Sequence, residues 1–278
     1  MLPALLRDRS PLFLMMLRMV NKMRSVGHKL ATQQGTNMRI YAIGLITPFV
    51  LSGCGGDSAS DDNASASVAS NVTNSSTCFN TELHKIGTEV IATYSKSGGN
   101  GSINTTDHTK LTGPVTYNGQ NDVIAIEEVG ENNTTYVVFD DSNKSITTLG
   151  QIENGTETRY LPSGILLEYE LNKNETRTYP TISVTENGVH AETMDMAFTF
   201  LMTESVTVPA GTFETCKFNL TIKGAKPDGS SYTAEFIQHF GADNGIMIYD
   251  TWTVTSDNGP SFSGTESLVS ATINGNAI

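Results

Sequence analysis

The sequence predicts an all-β domain: an antiparallel meander bent into a strongly curved sheet or incomplete barrel, with a two-sheet β-sandwich as the alternative. Two observations predict it. Asn-Gly pairs start at positions 100, 118, 154, 187, 244, 258 and 274, with Asp228-Gly229 besides. Asn and Gly tolerate the positive φ of type I′ turns, so such pairs mark hairpins. Between the turns apolar residues recur with period two. Cys216, Phe218, Leu220 and Ile222 share one face, and Lys217, Asn219, Thr221 and Lys223 the other. That is the alternation of a half-buried strand, not the 3.6 period of a helix.

Residues 1–53 read as an export signal. Met38-Arg39 precedes the apolar run Ile40–Leu51, which stops at Ser52-Gly53-Cys54. A charged start, a short apolar stretch and small residues at a cut site are the parts of a secretory signal. The run contains Pro48 and falls short of the roughly 20 residues a membrane-spanning helix needs. Its end, Leu51-Ser52-Gly53-Cys54, resembles the lipobox of bacterial lipoproteins. That resemblance implies cleavage before Cys54, lipidation of its thiol and attachment to a membrane through an N-terminal lipid anchor. With Gly55 rather than Asp after the cysteine, it further implies sorting to the outer membrane, facing the periplasm. Two or more acyl chains make such anchorage durable, whereas one holds only marginally. Residues 1–37 precede an adequate signal, so either the charged region is long or the start is Met38.

Residues 54–77 are the lipidated Cys54 and a Gly/Ser/Ala/Asp tether with almost no large apolar group to offset the entropy of ordering. Residues 78–278 then form a single domain, long enough for a sizeable core. Residues 1–53 carry seven Lys/Arg and one Asp, so the remainder keeps 10 basic and 28 acidic residues, a net charge of −18. Such a surface repels phosphate, which makes nucleic acid a poor partner. Apart from Cys54 there are only Cys78 and Cys216. Two cysteines in an exported domain invite a disulfide. Closing a loop of about 139 residues contributes roughly 5 kcal/mol on the chain-entropy model. The several Asn-Xaa-Ser/Thr triplets read, in a bacterial protein, as β-prone polar composition.

Strands are expected at 89–95, 122–129, 134–140, 145–152, 165–171, 179–185, 190–208, 216–223, 231–240, 246–256 and 264–273. Thr81 to Val90 can supply one or two helical turns, and Pro209-Ala210-Gly211-Thr212 reads as a further turn. The 190–208 strand is distinctive, because Met194, Met196, Phe198, Phe200 and Met202 fall on one face. Flexible, polarizable Met suits a surface that adapts to apolar ligands. The same pattern is also what an ordinary core face shows.

The segment Val206–Lys217, with its Val-Pro-Ala-Gly-Thr-Phe turn feeding a strand, resembles a recurring stretch in uncharacterised bacterial exported β-proteins. The resemblance implies an exported β domain and carries no catalytic residues. A more distant architectural analogy is the lipoprotein carrier and receptor family (LolA and LolB), whose half-barrels hold acyl chains; no shared motif supports it.

Common chemistries find no support. His84, His108, His190 and His239 are scattered, without the paired histidines of a zinc protease. No G-x-S-x-G elbow occurs, and Gly98-Gly99-Asn100-Gly101 lacks the lysine and helix of a phosphate loop. Asp140-Asp141-Ser142-Asn143 is read as a solvated turn rather than a Ca²⁺ site. No catalytic residue, metal or cofactor is expected. Three functions stay open: a non-catalytic module binding an apolar ligand or an envelope protein, an assembly subunit using an exposed sheet edge, and a hydrolase acting through paired carboxylates.

Overall fold

The computed structural model describes residues 74–98, 101–257 and 259–278. The expected export signal, Cys54 and most of the expected tether lie outside the described residues. Two short 3-10 turns, Ser75–Cys78 and Thr81–His84, open the chain. Fourteen strands follow: β1 (Glu89–Gly98), β2 (Gly101–Tyr117), β3 (Gln120–Glu128), β4 (Asn133–Asp140), β5 (Ser145–Glu153), β6 (Thr156–Leu161) and β7 (Ile165–Glu168) form the first half. The second half is β8 (Thr176–Glu186), β9 (Val189–Val208), β10 (Gly211–Ala225), β11 (Ser231–Gly241), β12 (Met247–Ser256), β13 (Phe262–Ile273) and β14 (Asn276–Ala277). Neighbours in sequence pair antiparallel almost throughout, and β1 also pairs with β13, from Val90↔Ile273 to Gly98↔Gly264. The meander therefore bends into one uneven, ring-like sheet.

Four hairpins turn where Asn-Gly was expected to turn them. Asn118, Asn154, Asn187 and Asn274 have φ of 51°, 50°, 47° and 51°, each followed by a Gly near 80°. Both central residues of a type I′ turn need positive φ, which these residues adopt at little steric cost. Asn100 and Asn258, the first residues of two further Asn-Gly pairs, lie outside the described residues.

Three strands, β2, β6 and the two-residue β14, are absent from the sequence-based expectation. Along β2 the inward residues are Thr105, Asp107, Thr109 and Leu111, so polarity hides the alternation. Strand β6 is only six residues long. After it, Pro162-Ser163-Gly164 bulges out before β7 resumes pairing with the first half of β5. A helical turn does form at Thr81–His84, but β1 already begins at Glu89.

Inward side chains fill one end of the ring. Phe198 and Phe218 stack at 4.7 Å, with Phe200, Phe240 and Tyr169 packed around them. The β9–β10 hairpin reaches across to β13, where the Ala210 N–H donates to the Leu268 carbonyl at 3.1 Å. Val206, Val208 and Phe213 of that hairpin rest on the core.

Candidate functional site

The Met/Phe face of β9 divides at a bulge. Phe200 lies opposite Phe218 but Met202 lies opposite Lys217, so Leu201 is an extra residue on β9. One inserted residue turns the side chain that follows it to the other face of the strand. Met194, Met196, Phe198 and Phe200 are consequently buried among core neighbours, while Met202 is 36% exposed on the outside. The expectation that all five share one face is corrected at Met202. The four inward residues belong to one buried cluster, in which Phe198 meets Tyr169 and Phe218, and Phe200 meets Phe218.

Cys78 and Cys216 have their sulfurs 2.12 Å apart, with Cα atoms at 6.1 Å. The bridge pins the N-terminal segment to β10. Asn74–Thr77, assigned above to the tether, pack on the barrel as well. The Ser75 hydroxyl is fully buried, donates to the Tyr169 carbonyl at 2.7 Å and accepts from the Leu171 N–H at 3.0 Å. Further along, Asn80 donates to the Asn244 carbonyl at 3.1 Å and His84 pairs with Asp141 at 2.8 Å. The segment thus straps one end of the ring.

Charged and polar residues gather in the other part of the interior. Gln238, Asp250, Glu266 and Lys96 are cross-strand neighbours on β11, β12, β13 and β1. Lys96 and Glu266 form an ion pair at 3.5 Å. Asp250 and Glu266 face each other across β12 and β13, and both are buried; neither lines either of the two surface clefts that follow. One such cleft, about 530 Å³ and shallow, lies between Ser97-Gly98, Thr251–Thr253 and Ser263–Thr265. A second, about 370 Å³, lies between Glu186, His190–Glu192 and Lys226–Asp228.

Among the described residues no three His, Cys, Asp or Glu side chains converge as metal ligands. The Asp140 carboxylate is taken up by its own turn, accepting from the Ser142 hydroxyl at 2.6 Å and the Asn143 amide at 2.7 Å. These bonds, first from Ser142 and then from Asn143, hold its pKa down at about 2. His239 is nearly buried on the outer face and meets Glu204 at 2.8 Å, while Lys217 reaches the same carboxylate at 3.1 Å. Burial lowers the His239 pKa despite Glu204. Burial alone would raise that of Glu204, but the bonds from His239 and Lys217 outweigh it and leave it lowered. His84, stacked on Phe139 at 4.0 Å, is likewise lowered by burial against the pull of Asp141.

No protein-family model matches this chain, and no curated protein matches it. Two solved structures are similar in part. One is a lipoprotein candidate from Parabacteroides distasonis, at 15% identity and a TM-score of 0.34 over 68% of this chain and 96% of that one. The other is a candidate exported protein with YmcC-like fold from Bacteroides fragilis, at 11% identity and a TM-score of 0.32 over the same shares. Neither similarity assigns a function.

Proposed function

We propose that this protein is a lipid-anchored, non-catalytic protein of the bacterial cell envelope, held at the outer membrane on the periplasmic side, whose barrel binds a partner protein. The observation that carries the binding reading is the apolar cluster that fills one end of the interior. Met194, Met196, Phe198 and Phe200 belong to one buried cluster with Phe218, Phe240 and Tyr169, so recognition falls to the outer surface and the rims. The lipobox ending at Cys54 and the Gly/Ser/Ala/Asp tether support the anchor and leave the barrel free to reach a neighbour.

Native mass spectrometry of a Cys54→Ser variant purified from the periplasm tests the reading. The expected result is a bare protein mass with no lipid bound. A co-purifying lipid-sized mass overturns it in favour of an apolar-ligand carrier. Metabolic labelling with a radioactive fatty acid tests the anchor: the wild type is expected to take up label and the variant none.

A further inference from the structure

The ring closes unevenly and leaves a long stretch of sheet edge on β2. Strand β2 pairs with β1 from Gly101 to Lys110, without a bulge. Its other side meets β3 only from Thr109 onward, and the last bond on that side runs from the Val129 N–H to the His108 carbonyl at 2.8 Å. Gly101–Asp107 is therefore paired on one side only among the described residues. Backbone groups alternate in direction along a strand. Since His108 points toward β3, Thr106, Asn104 and Ser102 point the same way, toward a side where no strand follows.

The edge is preformed. The Thr93–Thr106 hydroxyls at 3.0 Å, Ser95–Ser102 at 3.2 Å and Ser97–Thr265 at 2.6 Å tie the β1–β2 hairpin to itself and to β13. It is also unguarded. Exposed edges are usually blunted by Pro, Lys or covering side chains. Another gap, between β7 and the start of β8, has these devices: Pro180 lacks an N–H, and Arg177 bridges to Glu168 at 3.3 Å. Gly101–Asp107 contains no Pro, Lys or Arg, and Ile103 at its centre is 62% exposed.

We propose that Ser102–Thr106 of β2 is a strand-addition site for an extended segment of a partner protein, uncharged or basic, with a small or apolar residue to meet Ile103. This rests on the reading of the barrel as a partner-binding module. Main-chain bonds to Ser102, Asn104 and Thr106 supply affinity, and alternate side chains supply selectivity. With 28 acidic against 10 basic residues after Cys54, a second copy or an acidic strand is repelled and a basic one attracted.

The test uses the ¹⁵N-labelled Cys54→Ser protein and an acetylated, amidated Lys-Thr-Val-Thr-Val-Thr-Lys peptide as probe. Added peptide is expected to slow amide exchange at Ser102, Asn104 and Thr106 by about tenfold or more. Asn104→Pro removes the central edge N–H and leaves the β1 ladder intact, so it is expected to abolish that effect with an unchanged melting temperature. Asn104→Ala, which keeps the N–H, is expected to bind like the wild type. Unchanged exchange at these amides, equal binding by Asn104→Pro, or a dimer formed through this edge overturns the proposal. Photo-crosslinking residues placed at Ile103 and at Val189 in the living envelope separate the two levels of inference. A defined adduct at Val189 alone overturns the edge and keeps the binding module. No adduct at either position overturns both.

Discussion

Gly150 shows how closely single residues determine this sheet. A Cβ there would lie 2.4 Å from the Thr158 carbonyl oxygen and 2.4 Å from the Tyr117 hydroxyl. Tyr117 in turn stacks on Tyr136 at 3.9 Å, so the missing side chain on β5 is what seats a two-ring stack. A backbone oxygen cannot swing away as a side-chain tip can. Gly150→Ala is therefore expected to cost about 1–3 kcal/mol, as overpacking in well-filled sites does. A lowered urea midpoint with unchanged slope would register it, and a midpoint equal to wild type would disprove it. Nothing in the sequence announces that position 150 has no room for a side chain. The Asn-Gly turns, by contrast, were legible because a local φ requirement is written in two adjacent residues.

At the scale of elements, legibility followed polarity. Strands β9 and β10 were readable because their inward residues are Met, Phe, Cys, Leu and Ile. Strand β2 was not, since it faces the polar part of the interior with Thr105, Asp107 and Thr109. The proposed edge lies on that strand, so pattern reading could not have found it. The N-terminal strap was half legible. Two cysteines suggested a bridge, yet nothing in Asn74–Thr77 announces that Ser75 will be fully buried. Because the Cys78–Cys216 bridge spans 138 residues, it removes much freedom from the unfolded chain. Cys78→Ser with Cys216→Ser is expected to lower stability by about 2–5 kcal/mol. Chemical denaturation with and without reductant measures this: reductant should move the wild type to the variant's midpoint and leave the variant unchanged.

The whole molecule couples buried histidines to global unfolding. His84 and His239 both have lowered pKa values, because burial disfavours the protonated ring more than Asp141 and Glu204 favour it. Unfolding frees each to protonate at its ordinary value of about 6.5. Their stabilising effect is thus complete above that pH and fades as the pH falls below it. Glu204, also lowered, adds a loss only further down, as the pH drops below the ordinary carboxylate range. Thermal melts are expected to show a lower midpoint at pH 5.5 than at pH 7.5, with a smaller difference in His239→Gln. An identical difference in the variant would remove His239 from the account.

The amino-acid sequence alone determined the β class, four of the turns, the alternation of the apolar strands and the expectation of an anchored, exported chain. Each depends on neighbours within a few residues: a φ requirement, a period of two, a short apolar run ending in cysteine. Tertiary structure alone decided that β1 closes onto β13, that one extra residue at Leu201 turns Met202 outward, and that β2 keeps a free edge above Thr109. These follow from which strand lies beside which and in what register. Such pairings join residues far apart in the chain, and several candidate registers satisfy the same local pattern until the packed core selects one.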